Sequence, residues 1–237
     1  MAYSCHENNP YHACKKKLFY PPSPSCPYYR PRPCRSVRCE SDQCRAKYAE
    51  KESEILAHSF SVRPANFAST LNFTDHKSTS WFMMQRYLRT FTQKMSNYRK
   101  KSGIAIKHDI RIEFTGGEPH CHLTIMTSAN WSDWKAKQLV RGWWKDACHD
   151  RDVCVDTKTI RTDIGYGKYI TKDLRNRSCV ERPPEEWNSR KCHLVRTSPG
   201  FLIMSKRQIW KKLCAEWFHN NNVPQATDHG EPVEQIE

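Results

Sequence analysis

The sequence predicts an α+β fold: a split β-α-β antiparallel sheet with helices on one face, preceded by a Cys/Pro-rich N-terminal arm. Three observations predict it. Between residues 66 and 160, runs with a two-residue apolar alternation take turns with longer runs whose apolar residues recur every three or four positions. A Gly116-Gly117 pair separates two of the alternating runs, as in a hairpin. Prolines crowd the stretch before residue 45, where no regular helix can form.

Each element follows in order. The run CRAKYAEKESEILAHSF places Ala46, Tyr48, Ala49, Ile55 and Leu56 among Glu/Lys pairs at helical spacing, and Pro64 lies beyond its end. Asn66–Phe73 carries apolar or small residues at 67, 69, 71 and 73, which is strand spacing. From Trp81 to Lys101, Trp81, Met84, Leu88, Phe91 and Met95 fall at steps of three and four, with Ser80 as N-cap: an amphipathic helix. His108–Thr115 alternates Ile110, Ile112 and Phe114, and Cys121–Met126 alternates Cys121, Leu123 and Ile125. Ser132 caps a helix carrying Trp134, Leu139, Trp143 and Ala147, and the strand DVCVDTKTI follows. A short helix is expected over DIGYGKYITKDLR. The six elements from Asn66–Phe73 to DVCVDTKTI give the split, ferredoxin- or RRM-like plan, which hosts many functions. Beyond it, VRTSPGFLIMSKRQIWKKLCAEWF predicts a strand or turn and then an amphipathic helix. The domain reading is an arm over 1–45, a main folded domain over 46–176, its C-terminal extension over 177–218, and a disordered acidic tail over 219–237.

The 237 residues carry 39 Lys+Arg against 25 Asp+Glu, a formal charge of +14, and this calls for an anionic partner, most simply nucleic acid. Residues 81–172 alone hold +8, and the tail holds −4. No apolar run is long enough for a transmembrane helix, so no membrane is expected as partner. The first ten residues lack the apolar stretch of a secretory signal, so a cytoplasmic location with reduced thiols is expected for the 12 cysteines. Cys26, Cys34, Cys39 and Cys44 lie in or beside the Pro-rich stretch. They are a candidate structural zinc set, because thiolate ligation would order a segment that cannot order itself. The later cysteines, Cys121, Cys148, Cys154, Cys179, Cys192 and Cys214, are expected to be small buried side chains.

Two features bear chemistry. His120 and His122 alternate on one face of a strand, so two imidazoles can converge on one ion. Glu113 on the neighbouring hairpin strand is the candidate third ligand if the register allows it, with Glu118 as a substitute. Two histidines and a carboxylate with open positions suit Mg²⁺ or Mn²⁺. Downstream, Tyr169 and Lys172 are three residues apart and share a helix face. A phenol can attack phosphorus once its proton is removed, and an adjacent ammonium stabilises the phenolate and a phosphate oxygen.

In FASTLNF (67–73), EPHCHLTI (118–125) and GKYITK (167–172), in that order, the chain resembles the HUH endonuclease superfamily. The nearest likeness is to rolling-circle replication initiators of single-stranded DNA phages and related plasmids. The Cys-rich lead-in PCRSVRCESDQCRAKYAEKESE is similar to that of the phage initiators, and the likeness spans about residues 30–175. The resemblance implies that His120, His122 and Glu113 hold a divalent metal. It implies that Tyr169 nicks single-stranded origin DNA with help from Lys172, leaving a 5′-phosphotyrosine and a free 3′-OH, with later rejoining. It also implies work beside a host helicase and polymerase. Some phage initiators carry a second tyrosine four residues before the first; here that position is Gly165, and Tyr166 stands three before. A single-tyrosine transposase of the same superfamily and a non-catalytic basic nucleic-acid-binding protein are the alternatives.

Overall fold

The computed structural model describes residues 19–20, 30–31, 38–73, 79–115, 118–149, 152–160, 185–187 and 194–220. In the arm, β1 (Phe19–Tyr20) and β2 (Arg30–Pro31) pair antiparallel. Then come α1 (Asp42–Val62), β3 (Phe67–Phe73), α2 (Trp81–Ser102), β4 (Ile106–Thr115), β5 (Glu118–Thr127), α3 (Asp133–Cys148), β6 (Val153–Thr159), β7 (Val195–Thr197) and α4 (Lys206–Asn220). A single 3-10 turn covers Glu185–Trp187. The chain divides after Ile203 into two compact units, the second of which holds α4.

Local chemistry sets the helix ends. The Ser41 hydroxyl accepts from Cys44 N, so α1 begins three residues before the expected Arg45 and takes Cys44 into its first turn. Ser80 and Ser132 cap α2 and α3 in the same way, through Met83 N and Lys135 N. Gly103 ends α2 in the left-handed region at φ 69°, where a side chain would be strained, and three basic residues occupy the last turn. At the start of α4, Ser205 and Gln208 cap each other reciprocally.

The sheet runs β6-β3-β5-β4-β7, with every neighbouring pair antiparallel. β3 and β4 flank β5, joined by α2; β5 and β6 flank β3, joined by α3. This is the predicted split β-α-β plan, extended by β7 at the β4 edge. Both crossover helices lie on one face, also as predicted. There Phe67, Leu71, Ile110, Cys121, Leu123, Ile125 and Val155 meet Met84, Leu88, Phe91, Val140 and Trp144 in one core. Trp144 sits at its centre, with Phe73 and Phe91 rings each 5.7 Å away. Trp131, Trp143 and Trp144 pack there, whereas Trp134, at helical spacing with them, is 69% exposed.

α1 precedes the split unit and covers part of the opposite face. Its Leu56 and Phe60 pack with Ala65, Met126 and Phe201. Its Glu52 carboxylate meets Arg111 of β4 at 3.0 Å, with both side chains more than nine-tenths buried. The β6 and β3 part of this face is more open: Cys154, Asp156 and Lys158 are exposed, and Ala68, Thr70 and Asn72 are half-buried.

Candidate metal centre

The site is built by hairpin register. Thr115 pairs with Glu118, which leaves residues 116–117 as the connection, and counting back sets Glu113 directly opposite His120 and Arg111 opposite His122. β5 begins at Glu118 rather than at the expected Cys121, so both histidines are inside the strand. Cys121, Leu123 and Ile125 point into the core, which turns His120 and His122 to the other face. Ile110, Ile112 and Phe114 do the same for Glu113. The register condition on the third ligand is therefore met.

The three side chains converge. His122 Nε2 lies 3.1 Å from Glu113 Oε2, His120 Nε2 lies 3.8 Å from the same oxygen, and the two Nε2 atoms are 3.2 Å apart. The ring planes stand at 78° to each other, with centroids 5.0 Å apart. A metal bound at about 2.0–2.2 Å with tetrahedral or octahedral angles separates its ligand atoms by about 2.8–3.6 Å, and the observed spacings fall close to that range. The other carboxylate oxygen, Glu113 Oε1, is buried with no hydrogen-bond partner. An orphaned carboxylate oxygen is costly unless a cation stands near. The donor set and its geometry are thus compatible with a divalent metal, and this is the one such group among the described residues. Glu118 lies at the start of β5 on the same face but outside the group.

Beside the triad is a buried charge cluster that the sequence reading missed. Arg111 contacts Asp109 at 2.7 Å and Glu52 at 3.0 Å, and Thr197 of β7 donates to Asp109. Burial alone would lower the Arg111 pKa, but Asp109 and Glu52 outweigh it and hold the guanidinium firmly charged. The nearby Tyr48 phenol is pushed up to about 12, by burial first and by Glu52 second. The cluster ties α1 and β7 to the strand that carries Glu113. Its signal was present in β4, where Asp109, Arg111 and Glu113 alternate with Ile110 and Ile112.

The other expected site residues divide. Tyr169, Lys172 and Tyr166 lie outside the described residues, as do Cys26 and Cys34. Cys39 and Cys44 are buried near the start of α1, where the Arg45 guanidinium donates to the Cys39 carbonyl. Of the later cysteines, Cys121 and Cys148 are buried as expected, and burial pushes the Cys121 thiol well above its usual range. Cys154 departs from the expectation: it is exposed, because its neighbours along β6, Val153 and Val155, take the core face. Cys179 and Cys192 are outside the described residues. No helix among the described residues is long and apolar enough to cross a membrane.

Among the described residues of 81–172, the positive excess has a definite place. It resides on α2 and α3, on the far side of the sheet from the histidines. Comparison of the chain with family models, with curated proteins and with solved structures finds no match.

Proposed function

We propose that this chain is a rolling-circle replication initiator: a metal-dependent endonuclease and strand transferase that nicks single-stranded DNA at an origin. The observation that supports this reading most is the convergence of Glu113, His120 and His122 on a half-open sheet face. Such a set leaves coordination positions free for a substrate oxygen, which is what phosphoryl transfer needs and a purely structural site lacks.

In this reading the three residues hold Mg²⁺ or Mn²⁺, which when bound polarises the scissile phosphate. Tyr169 is the nucleophile. Its phenolic oxygen forms a bond to phosphorus, the P–O3′ bond breaks, and the departing O3′ takes up a proton to become the free 3′-OH. Lys172 stabilises the phenolate and a phosphate oxygen. The phosphotyrosine conserves the ester bond, so a later 3′-OH attack rejoins the strand without a nucleotide cofactor. Tyr166 is the candidate second acceptor. The four-thiolate set Cys26, Cys34, Cys39 and Cys44 would order the arm around zinc, for which equal zinc content in a Cys39→Ser/Cys44→Ser variant and the parent would be the contrary result. Single-stranded origin DNA is the partner, with a host helicase and polymerase acting on the exposed 3′-OH, in the cytoplasm of the host.

The test uses a pool of random-sequence single-stranded oligonucleotides, labelled at the 3′ end, incubated with the protein and Mn²⁺. Labelled DNA should remain with the protein on a denaturing gel. The band should vanish for Tyr169→Phe and for His120→Ala/His122→Ala. Persistent linkage in Tyr169→Phe would exclude that nucleophile, and strand binding with neither cutting nor linkage in the parent would favour the non-catalytic binding alternative.

A further inference from the structure

α2 carries six basic residues and no acidic one, and α3 carries four basic and two acidic, a net formal charge of +8 on two adjacent helices. Ordinary solvated helix faces mix signs, with acidic partners three or four residues away. Here the two acids both have partners, and only one of the ten cations is among them. Asp146 pairs with Lys94 across the helix seam at 2.8 Å, and Asp133 caps β6 by accepting from Thr159 N. Among the described residues, Arg86, Arg89, Lys100, Arg141 and Lys145 form no ion pair and are exposed.

Helical spacing arranges these side chains. The buried stripe of α2 runs through Met84, Leu88, Phe91 and Met95, so Arg86, Arg89, Gln93, Asn97 and Lys100 point directly outward. Gln93 and Asn97 bond each other at 2.9 Å along this row. On α3 the buried Ala136, Val140, Trp143 and Ala147 turn Gln138, Arg141 and Lys145 outward. The helices run antiparallel, since Tyr98 packs on Trp131 and Trp143 while Lys94 meets Asp146. Two rows of cations therefore lie side by side, about 8–10 Å apart at the helix axes. The longer row, from Arg86 to Lys100, spans about 21 Å.

We propose that this outer α2/α3 face binds the sugar-phosphate backbone of a double-stranded nucleic acid, on the side of the sheet opposite the metal centre. Two rigid rows at that spacing match the two phosphate strands bordering a groove about 6–12 Å wide. The residues between the cations are polar amides rather than aromatics, so the face offers phosphate contacts without the base-stacking platform that single strands use. It also lacks the apolar stripe by which an amphipathic helix enters a lipid surface. Two large apolar side chains point out there, Phe82 at the first turn of α2 and Trp134 at the first turn of α3, and both stand at the ends of the rows rather than between the cations. The surface stands whether or not the metal centre cuts DNA.

The test is metal-free binding in a Tyr169→Phe background, which separates it from strand cleavage. The probes are a labelled duplex of about two helical turns, one of its strands alone, phosphatidylserine vesicles and polyglutamate. The parent should bind the duplex with a steep salt dependence. Arg89→Glu/Lys100→Glu and Arg141→Glu/Lys145→Glu should each weaken duplex binding at least about tenfold and lower the salt slope by about two. Mn²⁺ affinity, read by calorimetry, should stay unchanged in both. Should either pair of charge reversals disturb folding, the corresponding Gln substitutions carry the same expectation with a smaller loss. Duplex affinity and salt slope preserved in both variants would overturn the proposal. So would a parent that binds the vesicles or polyglutamate in preference to the duplex, or single-strand binding that falls as much as duplex binding in both variants.

Discussion

The two faces of the central sheet are held by different forces. Under α2 and α3 the contact is apolar and aromatic, with Trp144, Phe91 and Leu123 fully buried, and all charge is turned outward. Under α1 the same strands present Asp109, Arg111, Glu113, His120 and His122, and the helix answers with Glu52. One sheet thus carries a hydrophobic face that stabilises and a polar face that positions ligand atoms. Alternation along β4 and β5 makes this possible, because every second residue changes sides. The difference shows that a large excess of positive charge and a set of side chains compatible with a metal need not share a surface.

Substitutions sharpen that contrast, beginning with the largest effect. Arg111→Met leaves Glu52 and Asp109 buried without their cation, and a loss of about 3–5 kcal/mol is expected in urea unfolding. Trp144→Ala on the other face should cost a similar amount, about 3–5 kcal/mol, but by opening a cavity. The two losses should differ in kind: the Arg111→Met deficit shrinks as acid protonates the stranded carboxylates, while the Trp144→Ala deficit does not change with pH. Equal pH profiles would contradict the division of forces.

The next effect belongs to His108 on β4, whose pKa is lowered to about 4, by burial first, with Asp109 opposing and Arg196 and Arg99 assisting. The folded value lies below the ordinary 6.5 of the unfolded chain, so the neutral form is favoured in the native state. The penalty is absent above about pH 6.5, grows as pH falls toward 4, and is complete below that, reaching about 2–3 kcal/mol. His108→Gln should remove that part of the acid slope; an unchanged slope would assign it to other groups. Smaller still is the stability effect of His120→Ala, about 1 kcal/mol or less because the ring is partly exposed. Its Mn²⁺ affinity should nevertheless fall at least about tenfold, as expected when one of three ligands is lost. The smallest effect is that of Arg141→Gln, within about 0.5 kcal/mol, since an exposed cation with no partner stabilises nothing.

Much of this arrangement was legible in the chain. The alternation of Ile110, Ile112 and Phe114, and of Cys121, Leu123 and Ile125, marked the hairpin, and Ser80 and Ser132 marked helix starts that the structure keeps. His120 and His122 were on one face from their spacing alone. Glu113 was not settled, because its place beside them depends on a register fixed by the length of the turn after Thr115. The Glu52–Arg111 pair was invisible, since it joins residues on separate elements and nothing local requires either to be buried. The place of the α2 and α3 cations relative to the histidines was likewise not legible, because segments close along the chain stand on opposite faces of the sheet.

Sequence by itself determined the elements, their periodicities and the chemistry available at each position. These are local properties, set by backbone sterics and by which side chains favour burial. Only the tertiary structure decided which residues meet. It brought Glu113 to His120 and His122, laid α1 over Arg111 and carried the cations of α2 and α3 to the far side. Those outcomes depend on strand register and layer order, which arise from packing between segments far apart in the chain.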